Sequence, residues 1–176
     1  MSRIGTLIGI MVLVAAGGAQ AEDAWSKFAS EEGRFSVEVP SPPVKSQLEQ
    51  KSFIGTVTSY ILTSESGKDR YTVDYSDIPH FALHFAGPDT IYEHAKGALL
   101  KKTFGKAVSY DDATVGGHAG KQLVYDTPPK EGHPEMRGDA VLVLVGTRLY
   151  VVDAVVREGE SNDESKRFLS SLEITK

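Results

Sequence analysis

The residues of this chain best suited to chemistry lie between Asp77 and His94. His80 and His84 are four positions apart, Asp77 stands just ahead of them, and Glu93-His94 follows. On a helix, residues four apart share a face, and two imidazoles one turn apart suit zinc or copper. The segment follows Pro79, however, and reads as a loop or a single turn, which does not hold two side chains in that relation. It also lacks the glutamate that an H-E-x-x-H protease motif requires. The plainer alternative is a pair of partly exposed histidines in a connection.

Two other constellations invite a chemical reading. Gly116-Gly117-His118-Ala119-Gly120-Lys121 has the look of a phosphate loop. A P-loop needs four residues between its glycines and a Ser or Thr after its lysine; here three intervene and Gln122 follows. Asp153 is a lone acid in an apolar stretch, its same-face neighbours being Val151 and Val155. A buried carboxylate is a candidate acid or base. With no histidine or serine motif aimed at it, the simpler expectation is a hydrogen-bonded structural acid. Nucleophile signals are missing: the chain has no cysteine, no G-x-S-x-G elbow and no S-x-x-K. The sequence therefore names no catalytic residue and implies no cofactor.

The elements that must position these residues are organised around one hairpin. Ala140–Val145 is almost wholly apolar, Gly146-Thr147 makes a two-residue loop, and Arg148–Val156 returns. A strand with one wet face alternates apolar and polar residues; these scarcely do, so both faces are expected to be covered. Glycine first in the loop fits a type II′ turn, setting Val145 opposite Arg148, Val143 opposite Tyr150 and Ala140 opposite Asp153. Earlier in the chain, strands are expected at Trp25–Ala29, Phe35–Val39, Ser52–Thr63 and Arg70–Tyr75. Pro40-Ser41-Pro42-Pro43 ends the second of them. A helix should start at Asp89, bury Ile91, Ala95, Ala98 and Leu99, and close at Gly105. Val108–Tyr110 and Lys121–Tyr125 bracket a glycine turn. Ser161-Asn162-Asp163-Glu164 has capping-box spacing for a last helix carrying Phe168, Leu169 and Leu172. Two helices and about eight strands, without repeat or linker, predict one α+β domain over residues 22–176.

Residues 1–21 read as a secretory signal. Arg3 precedes a short apolar run from Ile4 to Ala16, and Ala19-Gln20-Ala21 offers small residues at a cleavage site. No other stretch is long and apolar enough to insert stably in a bilayer. The absence of cysteine excludes disulfides and a lipid on cysteine. Cleavage after Ala21 removes Arg3 and takes the formal charge from −5 to −6. Acids and bases are interspersed, which argues against nucleic acid or an anionic membrane as partner. Periplasm or secretion is the expected destination.

Three groups of residues resemble a known family. Trp25-x-x-Phe28 with Glu32-Gly33-Arg34-Phe35-Ser36-Val37 and Pro40 opens the chain. Tyr71-x-Val73-x-Tyr75-x-Asp77-x-Pro79 follows, and Arg167-Phe168-Leu169-x-Ser171 closes it. Together they are similar to the small exported bacterial proteins of PsbP-like fold, mostly of unknown function. The resemblance implies an α/β/α sandwich on a central, mainly antiparallel sheet and a non-enzymatic, partner-binding role; it carries over no site residue. The leading expectation is thus an exported domain binding a protein or envelope component. Metal binding through His80, His84, His94 and Asp77 is the alternative, and an uncharacterised hydrolase comes third. Two connections are the candidate recognition surfaces. The loop from Asp126 to Glu135 is stiffened by Pro128, Pro129 and Pro134 and presents Lys130, Glu131 and His133. The connection from Ser76 to Pro88 offers Phe81 and Phe85, unless both tuck under the following helix, which is the simpler expectation.

Overall fold

The computed structural model describes residues 25–52, 55–129, 134–157 and 163–175. The expected signal segment, the capping box at Ser161 and the loop residues Lys130, Glu131 and His133 lie outside these. Among the described residues the chain runs β1 (Ser26–Ser30), β2 (Phe35–Val39), β3 (Val44–Ser52), β4 (Gly55–Ser66), β5 (Asp69–Asp77), α1 (His80–Thr103) and β6 (Lys106–Val115). It continues with β7 (His118–Thr127), β8 (Met136–Val145), β9 (Arg148–Arg157), α2 (Asp163–Ser170) and β10 (Glu173–Ile174). Seven strands form one antiparallel sheet in the order β3-β4-β5-β9-β8-β7-β6, and β1-β2-β10 form a small second sheet.

The β8–β9 hairpin sits inside the large sheet, and its register is the expected one: Val145 faces Arg148, Val143 faces Tyr150 and Ala140 faces Asp153. Gly146 has φ 63° while Thr147 keeps a negative φ, as a type II′ loop requires. Both faces of the hairpin are covered. One carries Val141, Val143, Tyr150, Val152, Ala154 and Val156, packed with Tyr71, Val73 and Tyr75 against β2, Phe168 of α2 and Leu172 just beyond that helix. The other carries Ala140, Leu142, Leu149 and Val155 with Leu123 and Tyr125, beneath Ile78, Ala82, Ile91 and Tyr92 at α1. This is the expected sandwich, with one outer layer shared between α2 and the small sheet.

Several local expectations need correction. Val44–Ser52 is a strand that the sequence does not announce: every side chain from Val44 to Gln50 is exposed, so no apolar alternation marks it. The following strand starts at Gly55 rather than Ser52. The helix begins at His80, nine residues ahead of Asp89, and breaks at Gly87 (φ 72°, ψ 164°) before resuming at Pro88. Pro88, with its fixed φ and missing N–H, suits a first helical position, so Gly87 rather than Asp89 is the capping residue. Ala98 is exposed, and Tyr92 takes a place in the buried stripe instead. At the far end Phe104, not Gly105, takes the left-handed conformation (φ 56°). The Gly105 N–H reaches Leu100 O at 2.8 Å and the Phe104 N–H reaches Lys101 O at 3.4 Å, the paired bonds of a Schellman ending.

Tyr92 fixes α1 to the sheet. Its hydroxyl donates to Ala119 O at 3.1 Å and accepts from the Leu144 N–H at 3.0 Å. It stands just past the last β7–β8 pair, Gly120 with Val143.

Candidate functional site

The histidines occupy a helix after all. His80 and His84 lie one turn apart in the first segment of α1, both exposed, so the loop reading of this stretch is corrected. His94 lies beyond the Gly87 break and is also exposed. Asp77 is engaged elsewhere: Arg148 Nε and Nη2 donate to its two carboxylate oxygens at 2.8 and 2.7 Å. Among the described residues no three His, Asp or Glu side chains converge on a point that could hold a cation.

The Asp77–Arg148 pair is part of a clamp. The third guanidinium nitrogen donates to Glu32 O, the guanidinium lies 5.0 Å from the centre of the Tyr75 ring, and the Tyr150 hydroxyl donates to Gly33 O at 2.8 Å. The turn from Glu31 to Arg34 is thereby pinned to the large sheet. Arg148 hydrogen bonding holds the Asp77 carboxyl below its ordinary range, and burial opposes the shift only partly. A second cluster joins the remaining opening and closing residues of the resemblance. Trp25 meets Tyr71 edge-on at 5.2 Å, Tyr71 meets Phe168 at 5.3 Å, and Arg167 stacks 5.0 Å over Trp25. These residues brace the fold.

Asp153 is buried, 4% exposed, on the face beneath α1. The Tyr125 hydroxyl donates to its carboxylate at 2.9 Å from each oxygen. To get there from β7, the Tyr125 side chain crosses β8 above Gly138, where any Cβ would come within 2.1 Å of the ring. Gly105 closes the other side, its absent Cβ lying 2.6 Å from the ring. Burial pushes the Asp153 carboxyl up to about 6; the Tyr125 bond and the charges of Arg70 and Lys102 pull the other way, and Asp139 adds to the rise. The same burial and the neighbouring carboxylate push the Tyr125 hydroxyl up as well. On the same face Asp74 is raised by burial, against the Ser59 hydrogen bond and the Lys102 charge. On the opposite face Asp139 is raised by burial against its bond from Gln122 at 2.9 Å. A carboxyl near 6 has the proton affinity of a general acid or base. Asp153, however, has both oxygens engaged by Tyr125 under two glycine-lined walls, and what the pair does is tie β7 to β9 across β8. Asp153 stands out in the sequence, whereas Tyr125 and Gly138 do not. A glycine inside an otherwise bulky strand is the signal for such a close crossing.

The cavity between the two sheets, lined by Phe28, Phe35, Val37, Leu62, Tyr71 and Phe168 among others, measures about 10 Å³ and is almost wholly apolar. That is no larger than the space one water needs, so it houses no substrate.

Phe81 and Phe85 do not tuck under the helix. They are 56% and 84% exposed, one helical turn apart, with His84 edge-on to Phe85 at 5.5 Å. Ala82 on the inner side of the same segment is buried, and the Ile78 N–H bonds Thr147 O at 2.8 Å at the base of the β8–β9 turn. The short helix between Pro79 and Gly87 thus holds two aromatic rings outward from a fixed seat.

A seven-stranded antiparallel sheet with α1 on one face, and α2 with a small sheet on the other, defines an α+β domain of PsbP-like fold. The solution structure of cyanobacterial PsbP (CyanoP) from Synechocystis sp. PCC 6803 matches this chain with a TM-score of 0.55 and 12% identity, over 92% of this chain and 98% of its own. A crystal structure from Bacteroides thetaiotaomicron matches at 0.49 and 15% identity, over 85% of this chain and 48% of that one. A Pseudomonas aeruginosa protein of unknown function matches at 0.40 and 11% identity, over 81% of this chain and 89% of that one. No family model matches the chain, and no curated protein does. At 12% identity the likeness to CyanoP shows the fold alone.

Proposed function

We propose that this chain is an exported, non-enzymatic domain that binds a protein or a cell-envelope component through the aromatic helix at His80–Ala86. The observation that carries the reading is the outward pair Phe81 and Phe85 on a backbone fixed by Ala82, Ile78 and the Gly87 break. Exposed aromatic rings cost solubility and are natural anchors when a partner buries them, and a rigid seat limits the entropy lost on binding. Export rests on the apolar leader and its small-residue site at Ala19-Gln20-Ala21. The non-enzymatic part rests on the sealing of Asp153 and on the missing nucleophile motifs. The loop carrying Lys130, Glu131 and His133 remains a second contact surface in this proposal.

The test is a photo-crosslinking residue at position 85 in the intact host envelope, with a matched residue at exposed Lys68 as control. A discrete protein adduct at 85 that is absent at 68 supports the proposal. No adduct at 85, or turnover of ester, peptide or glycoside substrates by the purified protein, overturns it.

One observation favours a second reading. The helical conformation puts His80 and His84 one turn apart in solvent, the arrangement of two metal ligands. Stoichiometric zinc or copper binding at nanomolar concentration that disappears in His80→Ala would establish it. Binding no tighter than about micromolar would remove it.

A further inference from the structure

We propose that two copies of this chain join edge to edge through β3, extending the large sheet across a two-fold axis. This proposal rests on β3 alone and does not depend on the aromatic helix. β3 is an outermost strand of the large sheet: it pairs with β4 along its whole length from Val44 to Ser52, and no other described strand pairs with it. Its register with β4 runs unbroken, without bulge or internal proline. β6, the outermost strand at the other end, carries a bulge between Ala107 and Ser109 and the exposed neighbouring acids Asp111 and Asp112. Bulges and charge are what keep an edge from accepting another strand. The two edges of one sheet are therefore treated differently.

The charges that β3 does carry are arranged to fit a second copy in one register. Side chains alternate faces, so a partner strand must meet odd positions with odd and even with even, and a symmetric antiparallel pair centres on one residue. Centred on Gln47, the pairing spans Val44–Gln50 and sets Lys45 of each copy opposite Glu49 of the other, giving two opposite-charge pairs on the same face. Pro42-Pro43 ends it. Val44 and Leu48, exposed by 72% and 45%, then become diagonal neighbours on the other face. Centring on Leu48 would oppose Lys45 to Lys51 twice, and centring on Glu49 would oppose that acid to itself. Centring on Ser46 would set Lys45 opposite Gln47 and form no charge pair, so the spacing of Lys45 and Glu49 favours the Gln47 register over those beside it.

The test is sedimentation velocity on the protein purified as its host processes it, over a concentration series at low salt. A concentration-dependent dimer is expected, weakened by added salt. Glu49→Lys and Lys45→Glu should each weaken it roughly tenfold or more, since two cross-strand attractions become two repulsions. The double variant Lys45→Glu with Glu49→Lys should restore it, because the swapped charges face each other again. Both side chains are exposed, so melting curves that match the wild type at concentrations where it is monomeric confirm folding of each variant. A protein that stays monomeric up to about 1 mM overturns the proposal. So does a dimer indifferent to the single changes, or one that the double variant fails to restore.

Discussion

Asp153→Asn tests the buried acid directly. Lifting the carboxyl from 3.8 to about 6 makes its ionisation in the folded chain about 3 kcal/mol costlier than in the unfolded chain. Its folded affinity for the proton is the higher one, so between about pH 4 and pH 6 the native state holds more protons than the unfolded state. Stability from this group is therefore greatest below pH 4, falls as pH rises, and levels off above pH 6. Asparagine stays neutral throughout. It accepts the Tyr125 hydroxyl on its carbonyl oxygen but leaves a buried amide short of acceptors, at about 1–3 kcal/mol. The variant should be the less stable protein at pH 4 and should gain about 3 kcal/mol on the wild type by pH 7.5. Urea unfolding in matched buffers across that range measures the difference. Parallel stability curves would show that burial does not perturb Asp153. A wild type that gains on the variant as pH rises would show that Arg70 and Lys102 stabilise the carboxylate more than burial penalises it. Tyr125→Phe should move the titration further upward, because the lost hydrogen bond is one that favours the charged form.

Gly138→Ala should cost about 3 kcal/mol or more, since its Cβ would lie 2.1 Å from a Tyr125 ring trapped between Asp153 and Gly105; a melting point lower by about 10 °C would register it. Val143→Asp, at a fully buried position facing β2 and α2, should abolish the cooperative urea transition at neutral pH. The depressed Asp77 contributes stability above its unfolded value near 3.8 and loses it as pH falls, so Arg148→Lys, which breaks the two-point contact, should flatten that acid-side loss in denaturant titrations. Mass spectrometry of protein from its native host should show a chain beginning at Glu22; an intact Met1 would end the export proposal.

The hairpin was legible because burial on both faces leaves a mark in composition. Val141 to Val145 and Leu149 to Val156 carry so few polar residues that only a covered position explains them, and two-residue loop rules then set the register. β3 was illegible for the converse reason: a strand wet on both faces carries no apolar period, and Lys45-Ser46-Gln47-Leu48-Glu49 reads like a loop. The first turns of α1 were hidden because Gly87-Pro88 looks like a helix beginning when it is a break within one. Asp153 stood out as an acid among valines. Its partner could not be found by spacing, because Tyr125 reaches it across a third strand. The exposure of Phe81 and Phe85 was beyond the sequence as well: an aromatic pair at helical spacing is compatible with either side of a helix, and only the seat of Ala82 decides which side faces in.

The position of Tyr92 makes a helix side chain one rung of the β7–β8 ladder. Rungs made by backbone break only when strands part; this one breaks whenever α1 lifts. Opening of the helix layer is therefore written into the amide of Leu144, which exchanges its hydrogen with solvent each time the hydroxyl leaves. That single amide should report the docking equilibrium of α1 while its neighbours in the ladder report the unfolding of the whole sheet. Under Tyr92→Phe the Leu144 exchange rate should rise while that of Leu142 stays near the global limit, separating the two motions in one experiment.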